Sequence, residues 1–337
     1  MAEMTYSEAL NLALREEMRR DPAVFVMGED VAVWGDRGGV FGVTRGLAGE
    51  FGLDRVRDTP INEEAIVGVA VGAALTGMRP VVEIMYSDFL TLTMEPLVNQ
   101  AAKLRYMFGG QARVPLVVRT NLGASGGKAA QHSQSLESWM MHVPGLQVAM
   151  PSTPADARAL LKTAIRDDNP VVFFEHKLLY FQRGEVPGPE EWLEFGRAAV
   201  RRKGRHATVV AAQAMLGMVL VVASRLASEG IELEVIDPRT LVPFDIETVV
   251  KSVRKTNRLL ICHDATERGG WAAEVAMQVG ELAFDHLDAP VARVCGANVP
   301  VPYSTPLEAV VVPGEAAIEQ GLRTLLAGAR WSPAGIG

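Results

Sequence analysis

Residues 58–89 read DTPINEEAIVGVAVGAALTGMRPVVEIMYSDF, and two periodicities meet in them. NEEAIVGVAVGAALTG at 62–77 has the length of a helix, and its Gly and Ala content lets the backbone approach a neighbour closely, which predicts a buried helix. VVEIM at 81–85 is a short β-branched run, the pattern of a strand inside a sheet. The same exchange recurs on both sides. VFVMG at 24–28, PLVVR at 115–119, LQVAM at 146–150 and VVFFE at 171–175 are predicted strands; TLTMEPLVNQAAKLRYM at 91–107 and PADARALLKTAIRDD at 154–168 are predicted helices. Strands alternating with helices indicate βαβ units around a mainly parallel sheet.

A polar stretch at 182–206, QRGEVPGPEEWLEFGRAAVRRKGRH, interrupts the rhythm with Pro, Gly and charge and reads as a linker. A second alternation follows: strands at 207–213, 231–237, 258–264 and 291–296, with helices at 214–230, 245–256 and 269–287. At 337 residues the chain exceeds the ~250–300 at which one core stops growing. The expected architecture is therefore two α/β domains, 1–190 and 206–337, joined by a linker at 191–205.

Composition narrows the function. The chain is 48% hydrophobic and 22% charged, with a net charge of −7, which argues against a general nucleic-acid binder because that role needs an excess of Lys and Arg. No apolar run reaches the ~18 residues of a membrane span. The opening MAEMTYSEALNLALREEMRRDP reads as an amphipathic helix started by Ser7, without the apolar core of a signal peptide. Cys262 and Cys295 are the only cysteines and lie in apolar runs, which suits a reducing cytoplasm. There is no G-x-G-x-x-G opening a first helix and no phosphate-binding G-x-x-x-x-G-K-[ST] loop. Ser125 in GASGG lacks a nucleophile-elbow pattern, and the neighbours Cys262 and His263 read as strand packing.

Glu63 opens the Gly/Ala helix. Spacing alone reads it as a first-turn carboxylate complementing the helix dipole, a part Glu64 would fill as well. A wider pattern changes that reading. TPINE, GVAVGAAL and GMRPVVEIMYSDF, followed by AAKLRY at 101–106, AAQHSQSLESW at 129–139, VPGLQVAMPSTPADARALL at 143–161, AIRDDNPV at 164–171 and IDPRTLVPFD at 236–245, cover nearly the whole chain in order. Together they resemble the beta subunit of the decarboxylating, thiamine-diphosphate-dependent component of 2-oxo acid dehydrogenase complexes, of the pyruvate or acetoin type.

The resemblance implies an N-terminal pyrimidine-binding fold with a mainly parallel sheet and a C-terminal transketolase-like α/β domain. Glu63 then matches the glutamate that hydrogen-bonds the aminopyrimidine of thiamine diphosphate, favouring the imino tautomer that takes the C2 proton. Its Ile61 and Gly/Ala surroundings suggest low polarity and a raised pKa. Phe89 matches the aromatic stacked on the pyrimidine, and Ile61 an apolar contact to the same ring. His132 matches a histidine on the substrate side that handles intermediates and passes the acyl group to lipoamide; the preceding NLGASGGKAAQ permits an exposed loop. The resemblance further implies a potassium ion held by oxygens of Leu116, Ala164, Asp167 and Asn169, although Asp-Asp-Asn-Pro also explains itself as a helix stop.

Thiamine enzymes hold the diphosphate through Mg²⁺ on a G-D-G segment and a later Asn. Here Gly35-Asp36-Arg37 has Arg in place of the second Gly, and Asn62 abuts Glu63. The Mg²⁺ and diphosphate half is therefore expected from an alpha subunit, in an assembly of two alpha and two beta chains. The helix at 64–78 and the Met-rich segment at 85–100 would be partly interface, and Asp264, Glu267 and Glu274 are candidates for docking the lipoyl acyltransferase core. A branched-chain dehydrogenase subunit, the C-terminal half of a split transketolase, and a scaffold subunit without chemistry are the competing readings.

Overall fold

Thr5, not Ser7, opens the first helix. Glu8 stands three residues after Thr5, so the pair forms a capping box: Glu8 N donates to Thr5 Oγ1 at 3.2 Å and Thr5 N to Glu8 Oε2 at 2.7 Å. The computed structural model describes residues 1–32, 38–188 and 192–331. Gly35, Asp36 and Arg37 lie outside the described residues. The chain divides into two compact units, Met1–Leu122 with Trp139–Phe195, and Gly123–Ser138 with Gly196–Gly337.

In the first unit the elements run β1 (Ala2–Thr5), α1 (Tyr6–Arg20), β2 (Val24–Gly28), α2 (Leu47–Phe51), β3 (Val56–Asp58), α3 (Glu63–Leu75), β4 (Arg79–Ile84), α4 (Ala102–Met107) and β5 (Val117–Leu122). They continue through α5 (Glu137–Met141), inside which the chain crosses back from the second unit, to β6 (Gln147–Ala149), α6 (Pro154–Arg166), β7 (Val171–His176) and β8 (Arg183–Val186). Strands β6, β7, β5, β4, β2 and β3 lie side by side in that order, all parallel. Every residue of β2, β5 and β7 is buried, as strands covered on both faces require.

Charge sits inside this sheet. Arg119 on β5 is 1% exposed and stands in register with Glu83 on β4. Its Nη1 donates to Glu83 Oε2 at 2.7 Å, while Nε and Nη2 grip Glu175 of β7 at 2.7 and 2.8 Å. Tyr180 O–H donates to Glu175 as well, at 2.6 Å. Burial opposes the Arg119 charge, but the two carboxylates outweigh it and raise its pKa; burial raises that of Glu175.

Two differences from the sequence reading stand out. The predicted helix at 91–107 is instead a 3₁₀ turn at Ser87–Thr93, a π-helical segment at Glu95–Ala101, and only then α4. Pro96 has no N–H to give the preceding turn, so regular α-helical bonding cannot run through it. The charged stretch 182–206 also contains two strands. β8 pairs antiparallel with β1, and β9 (Ala199–Arg202) borders the second sheet. Edge strands tolerate the Arg residues that made this stretch look like linker.

In the second unit β9 is followed by β10 (Ala207–Ala211), α7 (Gln213–Ala227), β11 (Leu233–Asp237), β12 (Thr240–Val242), α8 (Ile246–Thr256), β13 (Leu259–Thr266), α9 (Trp271–Ala283), β14 (Ala292–Gly296), α10 (Thr305–Val311) and α11 (Glu315–Leu326). Its sheet has the order β14, β13, β10, β11, β9, parallel except for β9. Alternation along β10 sets the layers. Ala207, Val209 and Ala211 share a core with α7 and α11, whereas the Thr208 hydroxyl meets Ser252 and Thr256 of α8, each at 2.6 Å. Among the described residues no helix is long and apolar enough to cross a membrane.

Replacing Arg119 with Met leaves Glu83 and Glu175 buried without their cation. That should cost about 3–5 kcal/mol of stability, read as a lowered urea midpoint, and Glu83→Gln in the same chain should recover part of the loss.

Candidate active site

The carboxyl ends of the parallel strands in the first unit collect its chemistry, as expected of an open α/β sheet. Glu29 follows β2, Glu63 follows β3 and Phe89 follows β4. Thr59 N donates to Gly28 O at 2.9 Å and ties the β3 end to the β2 end.

Glu63 is the first residue of α3 and only 7% exposed. The helix end is served by Asn62, whose Oδ1 accepts from Ala65 N at 2.9 Å. Glu63 is therefore not needed as a cap, and Glu64, which is exposed, shares the first turn. Among the described residues no donor hydrogen-bonds the Glu63 carboxylate. A mostly buried carboxylate without a donor is costly unless something else supplies one.

The surroundings of Glu63 differ from the expected low polarity, because Glu29 lies close enough to interact. Burial first, then the charges of Glu63, Asp30 and Glu83, push the Glu29 carboxyl above its ordinary range. Sequence reading missed Glu29. The available signal was its position directly after the VFVMG strand, at the carboxyl edge.

Ile61 is 81% exposed and Phe89 half-buried, so neither belongs to the core of the unit. The Gly/Ala helix, expected to be buried and partly interface, is buried on one face only. Ile66, Val67, Ala70, Val71 and Ala74 face inward, while Ala65, Gly68, Val69 and Gly72 are exposed in this chain. His132 is half-buried and belongs to the second unit, on the segment Gly123–Ser138.

Of the residues assigned to potassium, Ala164, Asp167 and Asn169 lie where α6 gives way to β7, and Leu116, just before β5, is bonded to the first residue of β7. Asp167 N reaches Ala164 O at 3.3 Å, Asn169 N and Nδ2 both donate to Asp167 Oδ1 at 2.8 Å, and Val171 N donates to Leu116 O at 2.9 Å. Arg105 holds Asn169 Oδ1 at 2.9 Å and Arg79 holds Asp167 O at 2.7 Å. Of the three docking carboxylates, only Glu274 is exposed. Asp264 and Glu267 are half-buried, and Glu267 pairs with Arg293 at 3.1 Å.

His263 does not partner its chain neighbour Cys262. Its Nε2 lies 3.3 Å from Cys295 Sγ and its Nδ1 3.1 Å from Ala265 O. Burial pushes the His263 imidazole down to about 4 and the Cys295 thiol up to about 12, so both are neutral.

Comparison with known proteins gives this arrangement a lineage. Residues 2–182 match the transketolase pyrimidine-binding domain family and residues 196–318 the transketolase C-terminal domain family. The beta subunit of the pyruvate dehydrogenase E1 component of Rhizobium meliloti is 44% identical, over 96% of this chain and 70% of its own length. The beta subunit of acetoin:2,6-dichlorophenolindophenol oxidoreductase from Cupriavidus necator is 44% identical, over 96% of this chain and 97% of its own. The 2-oxoisovalerate dehydrogenase beta subunit of Bacillus subtilis is 42% identical, over 96% and 99%. A split-gene transketolase, solved as an inactive beta4 tetramer, superposes with a TM-score of 0.78 at 23% identity, over 97% of this chain and 99% of that one, which concerns the fold alone. The chain belongs to the family of beta subunits of pyruvate, acetoin and related 2-oxo acid dehydrogenases.

A second buried carboxylate lies in the other unit. Glu137 is fully buried, and neither carboxyl oxygen meets a donor on another described residue. Burial, with the nearby Asp264 charge adding to it, pushes its carboxyl up to about 8. An unfolded glutamate releases its proton near 4.5, so between these values the folded chain holds a proton that the unfolded chain lacks. Stability then falls as pH rises through this window, at most by about 1.4 kcal/mol per pH unit. Glu137→Gln should melt like the parent at pH 5 and progressively higher toward pH 8, with a constant gap above. A gap independent of pH would refute the buried, protonated state.

Proposed function

We propose that this chain supplies the pyrimidine half of a thiamine-diphosphate site, completed by an alpha subunit in an assembly of two alpha and two beta chains. The observation that carries the reading is Glu63, 7% exposed and without a donor among the described residues, at the carboxyl edge of a parallel sheet. Such a carboxylate fits a ligand ring nitrogen bearing a proton. Ile61, 81% exposed, and Phe89, half-buried, fit the two sides of an aromatic ring. When bound, thiamine diphosphate supplies the nucleophilic carbon that attacks the substrate carbonyl. The part of this chain is to orient the ring and to exchange a proton at Glu63, beside the Glu29 carboxyl that burial first, then neighbouring charge, holds above its ordinary range.

The reaction class follows from the family: oxidative decarboxylation of a 2-oxo acid, or cleavage of acetoin, with transfer of the acyl group to lipoamide on an acyltransferase core. His132 is assigned to that transfer. Mg²⁺ and the diphosphate belong to the alpha subunit, since this chain has no complete G-D-G segment. Potassium is assigned to Leu116, Ala164, Asp167 and Asn169, whose carbonyl and carboxylate oxygens are the donor type that suits a hard monovalent cation. The free thiols of Cys262 and Cys295 support a cytoplasmic location.

With the alpha subunit present, Glu63→Gln should lower dye-coupled turnover by roughly 10²–10⁴-fold, the range of a lost acid–base group, with little change in KM. Unchanged turnover would remove Glu63 from the chemistry. The same assay run on pyruvate, acetoin and branched-chain 2-oxo acids identifies the substrate by its kcat/KM.

A further inference from the structure

The segment that carries His132 contains four left-handed residues in seven. Gly123, Gly126 and Gly127 have φ of +88°, +79° and +70°, and Ala129, with a side chain, has +58°. A chain bent this way has lost the regular bonding of helix or strand, so its backbone groups must find other partners. Two of them do so on one side chain. Gly126 N donates to Glu308 Oε1 at 2.8 Å and Gly127 N to Glu308 Oε2 at 3.1 Å. Two consecutive N–H groups turned onto one carboxylate in a tight bend form a concave, nest-like site for an anion. Here the anion is a carboxylate of the protein, 9% exposed, on α10 and 182 residues further along the chain.

Both groups lie in the same compact unit. A Cβ on Gly127 would meet Tyr303 O, just before α10, at an ordinary contact distance of 3.5 Å, so it is the positive φ that favours glycine there. On the far side of His132 the segment is anchored again, by Ser133, Leu136 and Glu137, all buried. His132 thus stands between a carboxylate clamp and a buried foot, and its own N–H reaches back to Ala129 O at 3.4 Å.

We infer that Glu308 is a positioning residue for His132: its carboxylate, seated in the Gly126–Gly127 nest, fixes the loop that presents the histidine for acyl transfer. The inference rests on the assignment of His132 made above. A carboxylate clamp is stronger than a neutral one because charge-assisted hydrogen bonds are about twice as strong as neutral ones. It also ties the geometry of the loop to α10, an element that carries no part of the proposed cofactor site.

The test uses the enzyme assembled with its alpha subunit. In Glu308→Ala, hydrogen exchange across residues 123–132 should accelerate by roughly tenfold or more, as expected for loss of two backbone hydrogen bonds. Lipoamide-dependent turnover should fall by about tenfold while KM for the 2-oxo acid or acetoin moves little, and millimolar formate, filling the emptied nest, should restore both readouts in part. Glu308→Gln, which points an amide at the two N–H groups with only one acceptor, should lie between parent and Ala variant. If Glu308 acts through His132, adding Glu308→Ala to His132→Ala should cause no further loss of turnover.

Unchanged loop exchange, or a loss that formate leaves untouched and that adds fully to the His132→Ala loss, would overturn the inference. If His132→Ala alone leaves acyl transfer intact, the assignment of His132 fails. The exchange and formate measurements then still decide whether Glu308 holds the loop.

Discussion

A guanidinium buried in the middle of a parallel sheet constrains the first unit more than any other single contact. Arg119 cannot shed its charge and cannot reach water, so Glu83 and Glu175 must stand beside it. These three residues come from three adjacent strands. Sliding β4 or β7 by one residue would turn a carboxylate to the opposite face and strand the cation, so the network fixes the register of the central sheet. Hydrophobic strands rich in Val and Ile do not by themselves distinguish one register from another so sharply.

The register determines where the strand ends lie, and the strand ends hold the candidate site. With β2 and β4 paired through Gly28 and Glu83, the turns after β2, β3 and β4 open on one edge, bringing Glu29, Glu63 and Phe89 to it. Burial alone does not separate the carboxylates of this protein by role. Glu83 and Glu175 are as buried as Glu63, yet each is matched by Arg119, and Glu17 is matched by Arg166 at 2.5 Å. Glu63 has no such partner among the described residues. Glu83, Glu175 and Glu17 are satisfied within the fold, and it is this difference that the proposed ligand role of Glu63 rests on.

The second unit uses the same physics differently. Glu308 satisfies two backbone donors of a strained loop and thereby spends its charge on geometry. Glu137 in the same unit has no such outlet and is held protonated by its surroundings. Glu137 follows His132 by five residues and Glu308 binds the backbone at Gly126 and Gly127, so in the chain the histidine lies between one paired and one unpaired carboxylate.

Much of this was readable in the residues themselves. Runs such as VFVMG and VVFFE, alternating with helical periodicity, were enough to place most strands and helices, because a strand buried on both faces must be apolar throughout. Ordered motifs around Glu63, Phe89 and His132 were enough to indicate the family. Other features depend on partners distant in the chain, which no local pattern encodes. β8 and β9 are charged and short, and become strands only because β1 and β11 offer free edges. The state of Glu137 and the clamp between Glu308 and the glycines 126 and 127 exist only once the second unit is folded, because desolvation and hydrogen-bond geometry belong to the packed chain and not to the order of its residues.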